Sequence, residues 1–287
     1  MPRRALVVRI GALGDVLLTR RLSYSLSLAG FRTTLLAPSR HASLLLEDPW
    51  IEGILDSEAP RFASAFAGVW PEAKGCFDLA VVISGSVGLT LAARSAATQV
   101  IEVEAEPRGT SMSIARQWAE GAGAACAAFS GALPLLGAGG AARVAGASLI
   151  HAGSGSPRKN WPIERFVELS HRLKTSGRRI AWVLGPAEAD FDEGVFRDDL
   201  IVRAPLQELA ATLARSRLFV GNDSGVSHLA AALGTPTVAI FGPTDPVVWG
   251  GDGPRVRTVR GPGGALLDLP VDAVKAAIDD VTRLEPS

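Results

Sequence analysis

The chain has 287 residues, 47% of them hydrophobic, and its 29 basic and 29 acidic side chains give a formal net charge of zero. That composition is too apolar for intrinsic disorder, and the length suits two cores of ordinary size. Each half is balanced as well, with 13 Lys+Arg against 12 Asp+Glu up to residue 150 and 16 against 17 beyond it, which speaks against broad nucleic-acid binding.

The opening MPRRALVVRIGALGD holds an apolar run only as long as a strand, broken by Arg9 and Gly11, so no secretory signal is read there. No stretch reaches the roughly 18 to 20 apolar residues of a membrane span, and any membrane contact would be peripheral. Cys76 and Cys126 show neither metal-ligand spacing nor a disulfide framework, which suits a reducing cytoplasm.

Ala5 to Ile10 predicts a buried strand, Gly11 to Asp15 a turn and Val16 to Leu28 a helix. The glycines are spaced G-x-x-G and lack the first glycine of the dinucleotide fingerprint, so no NAD or FAD site is expected. Asp15 stands where the helix dipole favours a carboxylate, either as a simple cap or as a reactive group. Thr19, one turn on, shares its face, and Arg20 and Arg21 read equally as solvated charges or as contacts to an anionic ligand.

Runs at Thr33–Ala37, Ile51–Leu55, Leu79–Ile83 and Gln99–Glu102 alternate with helical patterns, as in a doubly wound parallel sheet. Ser84-Gly85-Ser86 follows Ile83 as a turn, ordinary in composition and also placed to touch a sugar. The Ala/Gly-rich stretch from Gly121 to Gly146, with GAGGAA at 137–142, predicts a flexible connection and a domain boundary near residue 145.

The pattern then restarts. Ser148 to His151 is a strand, followed by the polar loop GSGSPRKNWP at 153–162 and a helix from Ile163 to Thr175. Ser154 and Ser156 offer hydroxyls and Arg158 and Lys159 offer cations, a set suited to oxyanions, though standing alone the segment reads first as an exposed loop with ordinary charges. Trp161 is expected to pack that loop down. A strand at Ile180–Leu184, a turn reaching Glu188, a strand at Leu200–Arg203 and a helix at Leu206–Ala214 come next.

Residues 218–249, LFVGNDSGVSHLAAALGTPTVAIFGPTDPVVW, read as strand, tight turn, helix, strand and turn. Asp223 or Ser224 caps the helix from Val226 to Leu233, and the remaining first-turn N–H groups make a seat for phosphate. Gly221 and Gly225 let the backbone approach a ligand. His228, one turn in, either packs or faces the same pocket, and Thr244 lies in the second turn. Asp190-Phe191-Asp192 has the letters of a metal-binding D-x-D but a helical, solvent-facing pattern. Val271 to Leu284 predicts a terminal helix.

The segment GNDSGVSHLAAALGTPTVAIFGPTDP resembles the signature of glycosyltransferase family 9, the ADP-heptose:lipopolysaccharide heptosyltransferases. RIGALGDVLLT and the loop ending Lys159-Asn160-Trp161-Pro162 resemble two further motifs of that family, in the same order. The resemblance implies an α/β fold of GT-B architecture, two Rossmann-like domains with parallel sheets facing across a cleft. It implies an acceptor-binding domain over 1–145 and a nucleotide-sugar-binding domain over 146–287, its terminal helix packing back on the first.

The implied activity is an inverting, metal-independent transfer of heptose from an ADP-sugar to a lipopolysaccharide inner-core acceptor, with no cofactor. Asp15 would then be the general base, since the attacking hydroxyl must lose a proton. Lys159, Ser154, Ser156, Asp223, Ser224, Gly225, His228 and Thr244 would face the donor, and Glu188 would hold the ribose hydroxyls. Gly14, Thr19, Arg20 and Ser86 would face the acceptor.

The expected partners are a nucleotide-sugar and a lipid-linked oligosaccharide, not nucleic acid. The implied setting is the cytoplasm, with peripheral contact at the inner face of the cytoplasmic membrane. The chain departs from the family in its short first domain and in a tail after Trp249 without the cysteine-bearing segment of many members. Both departures touch the acceptor more than the donor. Two other readings stay open: a sugar-nucleotide epimerase or hydrolase on the same scaffold, and a non-catalytic nucleotide-sugar-binding protein.

Overall fold

The computed structural model describes residues 2–124, 144–185, 188, 193–196 and 199–283. By its internal packing the chain divides into two units, residues 1–129 and 130–287. The boundary expected near residue 145 lies further along. The glycine-rich connection at 137–142, Cys126 and the Asp190-Phe191-Asp192 triplet all fall outside the described residues.

The first unit is a five-stranded parallel sheet in the order β3-β2-β1-β4-β5. Its strands are β1 (Arg3–Val8), β2 (Phe31–Ala37), β3 (Ile51–Asp56), β4 (Phe77–Ile83) and β5 (Ala97–Val103). Helices α1 (Leu13–Leu28), α2 (Ser39–Ala42), α3 (Ala63–Phe66), α4 (Val87–Ala96) and α5 (Ile114–Gly121) accompany them. Central strands read as unbroken apolar runs because both faces are covered, and β1 and β4 are buried along most of their length.

Helix α1 is buried nearly all round, from Gly14 to Leu26. It therefore brings a charged side chain, Arg20, into the interior. Arg20 is 2% exposed and is held by Asp48, itself 0% exposed, through two contacts of 2.7 and 2.9 Å. A fork-to-fork pair of this kind keeps two buried charges from standing alone.

The second unit is a six-stranded parallel sheet in the order β11-β10-β9-β6-β7-β8. Its strands are β6 (Ser148–His151), β7 (Ile180–Val183), β8 (Leu200–Val202), β9 (Leu218–Asn222), β10 (Thr237–Phe241) and β11 (Val256–Arg260). Its helices are α6 (Ile163–Thr175), α7 (Leu206–Ala214), α8 (Gly225–Ala232), α9 (Pro246–Trp249) and α10 (Val271–Arg283). β11 is the one strand of this sheet that the sequence pattern does not announce. It lies at the edge, where VRTVR alternates arginine with small residues and is only half-buried.

Helix α10 sets Val271, Val274, Ile278 and Val281 on one buried stripe, and it packs on α6, β10 and β11 of its own unit. Full burial of each such side chain is worth about 1.5–3 kcal/mol. No described helix is long and apolar enough to cross a membrane.

Candidate functional site

In each sheet the chain starts at an inner strand, builds outward, then returns to build on the other side. The reversal falls between β1 and β4 in the first unit and between β6 and β9 in the second. Outside the carboxyl ends of such a strand pair the following loops diverge and leave room for a ligand.

At the second reversal, Asn222 ends β9 and binds the loop after β6. Its Oδ1 accepts the Trp161 N–H at 3.0 Å, and its Nδ2 donates to the Ala152 carbonyl at 2.7 Å. Trp161 is 1% exposed, donates its indole N–H to the Leu269 carbonyl and meets Phe166 edge-on, so it packs the loop down as expected. Gly221 serves packing and not ligand approach. A Cβ there would lie 2.8 Å from the Phe219 ring and 3.0 Å from the His151 carbonyl oxygen.

With that loop fixed, four predicted donor residues converge. Lys159 Nζ donates to Asp223 Oδ2 at 2.8 Å, and Thr244 Oγ1 donates to the same oxygen at 2.7 Å. His228 Nε2 lies 3.9 Å from Asp223 Oδ1. The Asp223 side chain is 6% exposed and that of Lys159 32%, so the carboxylate anchors the cluster and the ammonium is its open end. An ammonium has three donors, and Asp223 takes one of them.

Ser224 caps α8 by accepting the Ser227 N–H at 3.4 Å, while its carbonyl accepts the His228 N–H. The N–H groups of Gly225 and Val226 remain at the first turn of the helix. A helix N-terminus of this kind favours an anion. Of the two capping candidates the structure selects Ser224, because Asp223 is taken by Lys159 and Thr244.

Glu188 is buried as well, and differently from expectation. Its Oε2 accepts the Gly185 N–H at 2.7 Å, and its Oε1 lies 2.8 Å from His151 Nε2. Burial pushes this carboxyl up, but His151 and the amides of Gly185 and Gly153 outweigh it and hold the group below its ordinary range. On its other side His151 Nδ1 lies 3.5 Å from Ser224 Oγ. With 0% of its side chain exposed, Glu188 is held in this structure by His151 and by the Gly185 N–H.

Ser154 also turns inward. Its hydroxyl lies 2.8 Å from the Ser156 carbonyl oxygen and 2.6 Å from Asn160 Oδ1, and it accepts the Ser156 N–H, so both serines shape the loop. His151, Asn160 and Asn222 were missed in the sequence. The available signal for His151 and Asn222 was their position at the carboxyl ends of neighbouring strands.

At the first reversal, Arg9 follows β1 and reaches the Ile83 carbonyl at the end of β4, at 3.4 Å. It stacks 4.9 Å from the Trp118 ring and donates to Asp15 Oδ1 at 2.7 Å. Asp15 Oδ2 accepts the Ala12 N–H at 3.1 Å, closing the start of α1. Gly11 is required there, since a Cβ would lie 2.7 Å from that oxygen. The Asp15 side chain is 24% exposed, more open than its arginine at 13%.

The expected acceptor residues separate. Thr19 is 1% exposed and donates its hydroxyl to the Val16 carbonyl at 2.6 Å. Arg20 is consumed by Asp48, and Gly14 is buried within α1. In this structure all three are engaged inside the first unit, because α1 is buried nearly all round. Ser86 caps α4 by accepting the Leu89 N–H at 3.4 Å and is half-buried.

Residues 141–268 match the model of glycosyltransferase family 9 (heptosyltransferase). Over 127 residues the chain is 37% identical to lipopolysaccharide heptosyltransferase 1 of Escherichia coli O18:K1:H7, covering 42% of this chain and 39% of the relative. The chain thus spans about two fifths of the length of that relative. A heptosyltransferase of E. coli solved with ADP superposes with a TM-score of 0.76 at 21% identity, over 97% of this chain and 99% of the other. A family 9 glycosyltransferase from Veillonella parvula gives 0.78 at 17% identity, over 98% and 97%. The fold is the GT-B fold of those structures, and the similarity to glycosyltransferase family 9 in sequence lies in residues 141–268.

Proposed function

We propose that the chain is a glycosyltransferase moving a heptose from ADP-heptose to a lipopolysaccharide inner-core acceptor with inversion at the anomeric carbon. The observation that carries this reading is the cluster at the second reversal. Lys159 pairs with Asp223, which also accepts the Thr244 hydroxyl and directly precedes Ser224, the cap of α8. A cation and two N–H dipoles there suit a diphosphate whose charge grows as the sugar–oxygen bond breaks. The reading assigns that charge to protein groups, not to a metal ion.

Asp15 is the base in this proposal. It takes the proton of the acceptor hydroxyl as the oxygen bonds to the anomeric carbon, and ADP departs. Each carboxylate oxygen already accepts one hydrogen bond, and each keeps a further lone pair for the incoming proton. The donor is a soluble nucleotide-sugar and the acceptor a lipid-linked oligosaccharide, which places the reaction at the cytoplasmic face of the membrane.

The test is transfer of labelled heptose by the purified full chain, with the product's anomeric configuration read by NMR. Label in the oligosaccharide with the anomeric centre inverted is the expected result. Label released or epimerised from donor alone would support the hydrolase or epimerase reading instead. ADP binding with no turnover on any acceptor would support a binding protein.

A further inference from the structure

The opposite edge of the second sheet carries a feature that sugar transfer does not use. Arg179 stands one residue before β7, Arg217 one before β9 and Arg255 one before β11. In a parallel sheet these strands all begin at the same edge, and the register puts Ser148 of β6 beside both Ile180 and Leu218. Arg178 adjoins Arg179. All four arginines line one cavity of about 780 Å³, together with the polar residues Ser176 and Thr282.

No aspartate or glutamate is among the described residues lining this cavity. Arg255 fixes its orientation by donating Nε and Nη2 to the Gly234 carbonyl, at 3.1 and 2.8 Å, which leaves Nη1 for another partner. Arg217 is exposed and Arg178 half-buried. The guanidinium groups of Arg178, Arg217 and Arg255 around one concavity repel one another and attract a multivalent anion. Their planar forks match phosphate oxygens two at a time.

We infer that this cavity is a binding site for a ligand carrying two or more phosphate groups, distinct from the site at the carboxyl ends of β6 and β9. The intervening strand β6 has four residues. At about 3.3 Å per residue it sets the two sites roughly 13 Å apart. The shared chemistry is a clustered phosphate, supplied by a soluble phosphate ester or by a phospholipid headgroup.

The test is calorimetric titration of the full chain with inorganic pyrophosphate at low salt. Sedimentation with vesicles of phosphatidylglycerol in phosphatidylcholine runs beside it. The two sites are told apart with Arg178→Gln/Arg217→Gln and with Lys159→Ala. The expected result is a pyrophosphate site that Lys159→Ala retains, that the double substitution weakens at least about tenfold, and that weakens further as salt rises. Vesicle binding lost in the double variant identifies a headgroup as the source, and pyrophosphate binding without vesicle binding identifies a soluble ester. No pyrophosphate binding in Lys159→Ala, or binding that stays unchanged when the folded Lys159→Ala protein also carries Arg178→Gln and Arg217→Gln, would overturn the proposal.

Discussion

Each unit sets an aspartate against a cation where its strand order reverses, and the two pairs are built the opposite way round. In the first unit Asp15 is the open partner, 24% exposed, while Arg9 is sunk to 13% against Trp118. In the second, Asp223 is sunk to 6% and Lys159 is open at 32%. A cation more covered than its carboxylate leaves the carboxylate as the group able to accept a proton. A buried carboxylate that steadies an open ammonium leaves a group able to hold an anion. The same ion pair, inverted in depth, gives the two halves of the chain different chemistry.

Substitutions that remove the open partner should hit one function each. Asp15→Asn is nearly isosteric, keeps an acceptor for only one of the two hydrogen bonds and removes the carboxylate that the proposal makes the base, so kcat for transfer should fall about 10²–10⁴-fold. A loss of less than threefold in steady-state turnover would break the comparison on the first side.

Arg20 offers the next largest effect, in stability and not in catalysis. Asp48→Ala leaves Arg20 buried with its fork unmatched and should cost about 3–5 kcal/mol in denaturant unfolding. A variant of full stability with a raised acceptor KM would restore Arg20 to the acceptor. Lys159→Ala should weaken ADP binding by about 1.5–3 kcal/mol, seen by calorimetry.

Glu188 gives a pH signature for the second unit alone. Its folded-state pKa lies below the ordinary value of 4.5, so the stability it contributes is present above about pH 4.5 and is lost as pH falls through the folded value. Glu188→Gln should remove that acid limb from a plot of unfolding free energy against pH. An unchanged limb would mean the His151–Glu188 pair does not hold the turn. Thr244→Val removes one hydrogen bond to Asp223 and should cost about 1 kcal/mol in ADP affinity, the smallest effect of the set.

How much of this was legible in the sequence differs between the units for a physical reason. Strand runs such as Ser148–His151 and Thr237–Phe241, and helices such as Ile163–Thr175, are readable because covered strands are continuously apolar and half-exposed helices show a stripe. β11 escaped because an edge strand with arginines carries no such run. Lys159, Asp223 and Thr244 were legible through the family resemblance, since on residues alone the loop of Lys159 reads as an ordinary exposed one.

The burial of Thr19 and Arg20 was not legible, since a helix buried nearly all round shows little periodicity to mark its open face. Glu188 misled in another way. An acid in a turn looks solvated until a histidine from a neighbouring strand is brought beside it.

The most direct test of the division between the two pairs is the equilibrium affinity for ADP of Asp15→Asn and Lys159→Ala, measured side by side by calorimetry on the full chain. The account predicts wild-type affinity within twofold for Asp15→Asn and at least about tenfold weaker binding for Lys159→Ala. Equal weakening in both variants, or loss in Asp15→Asn alone, would contradict it.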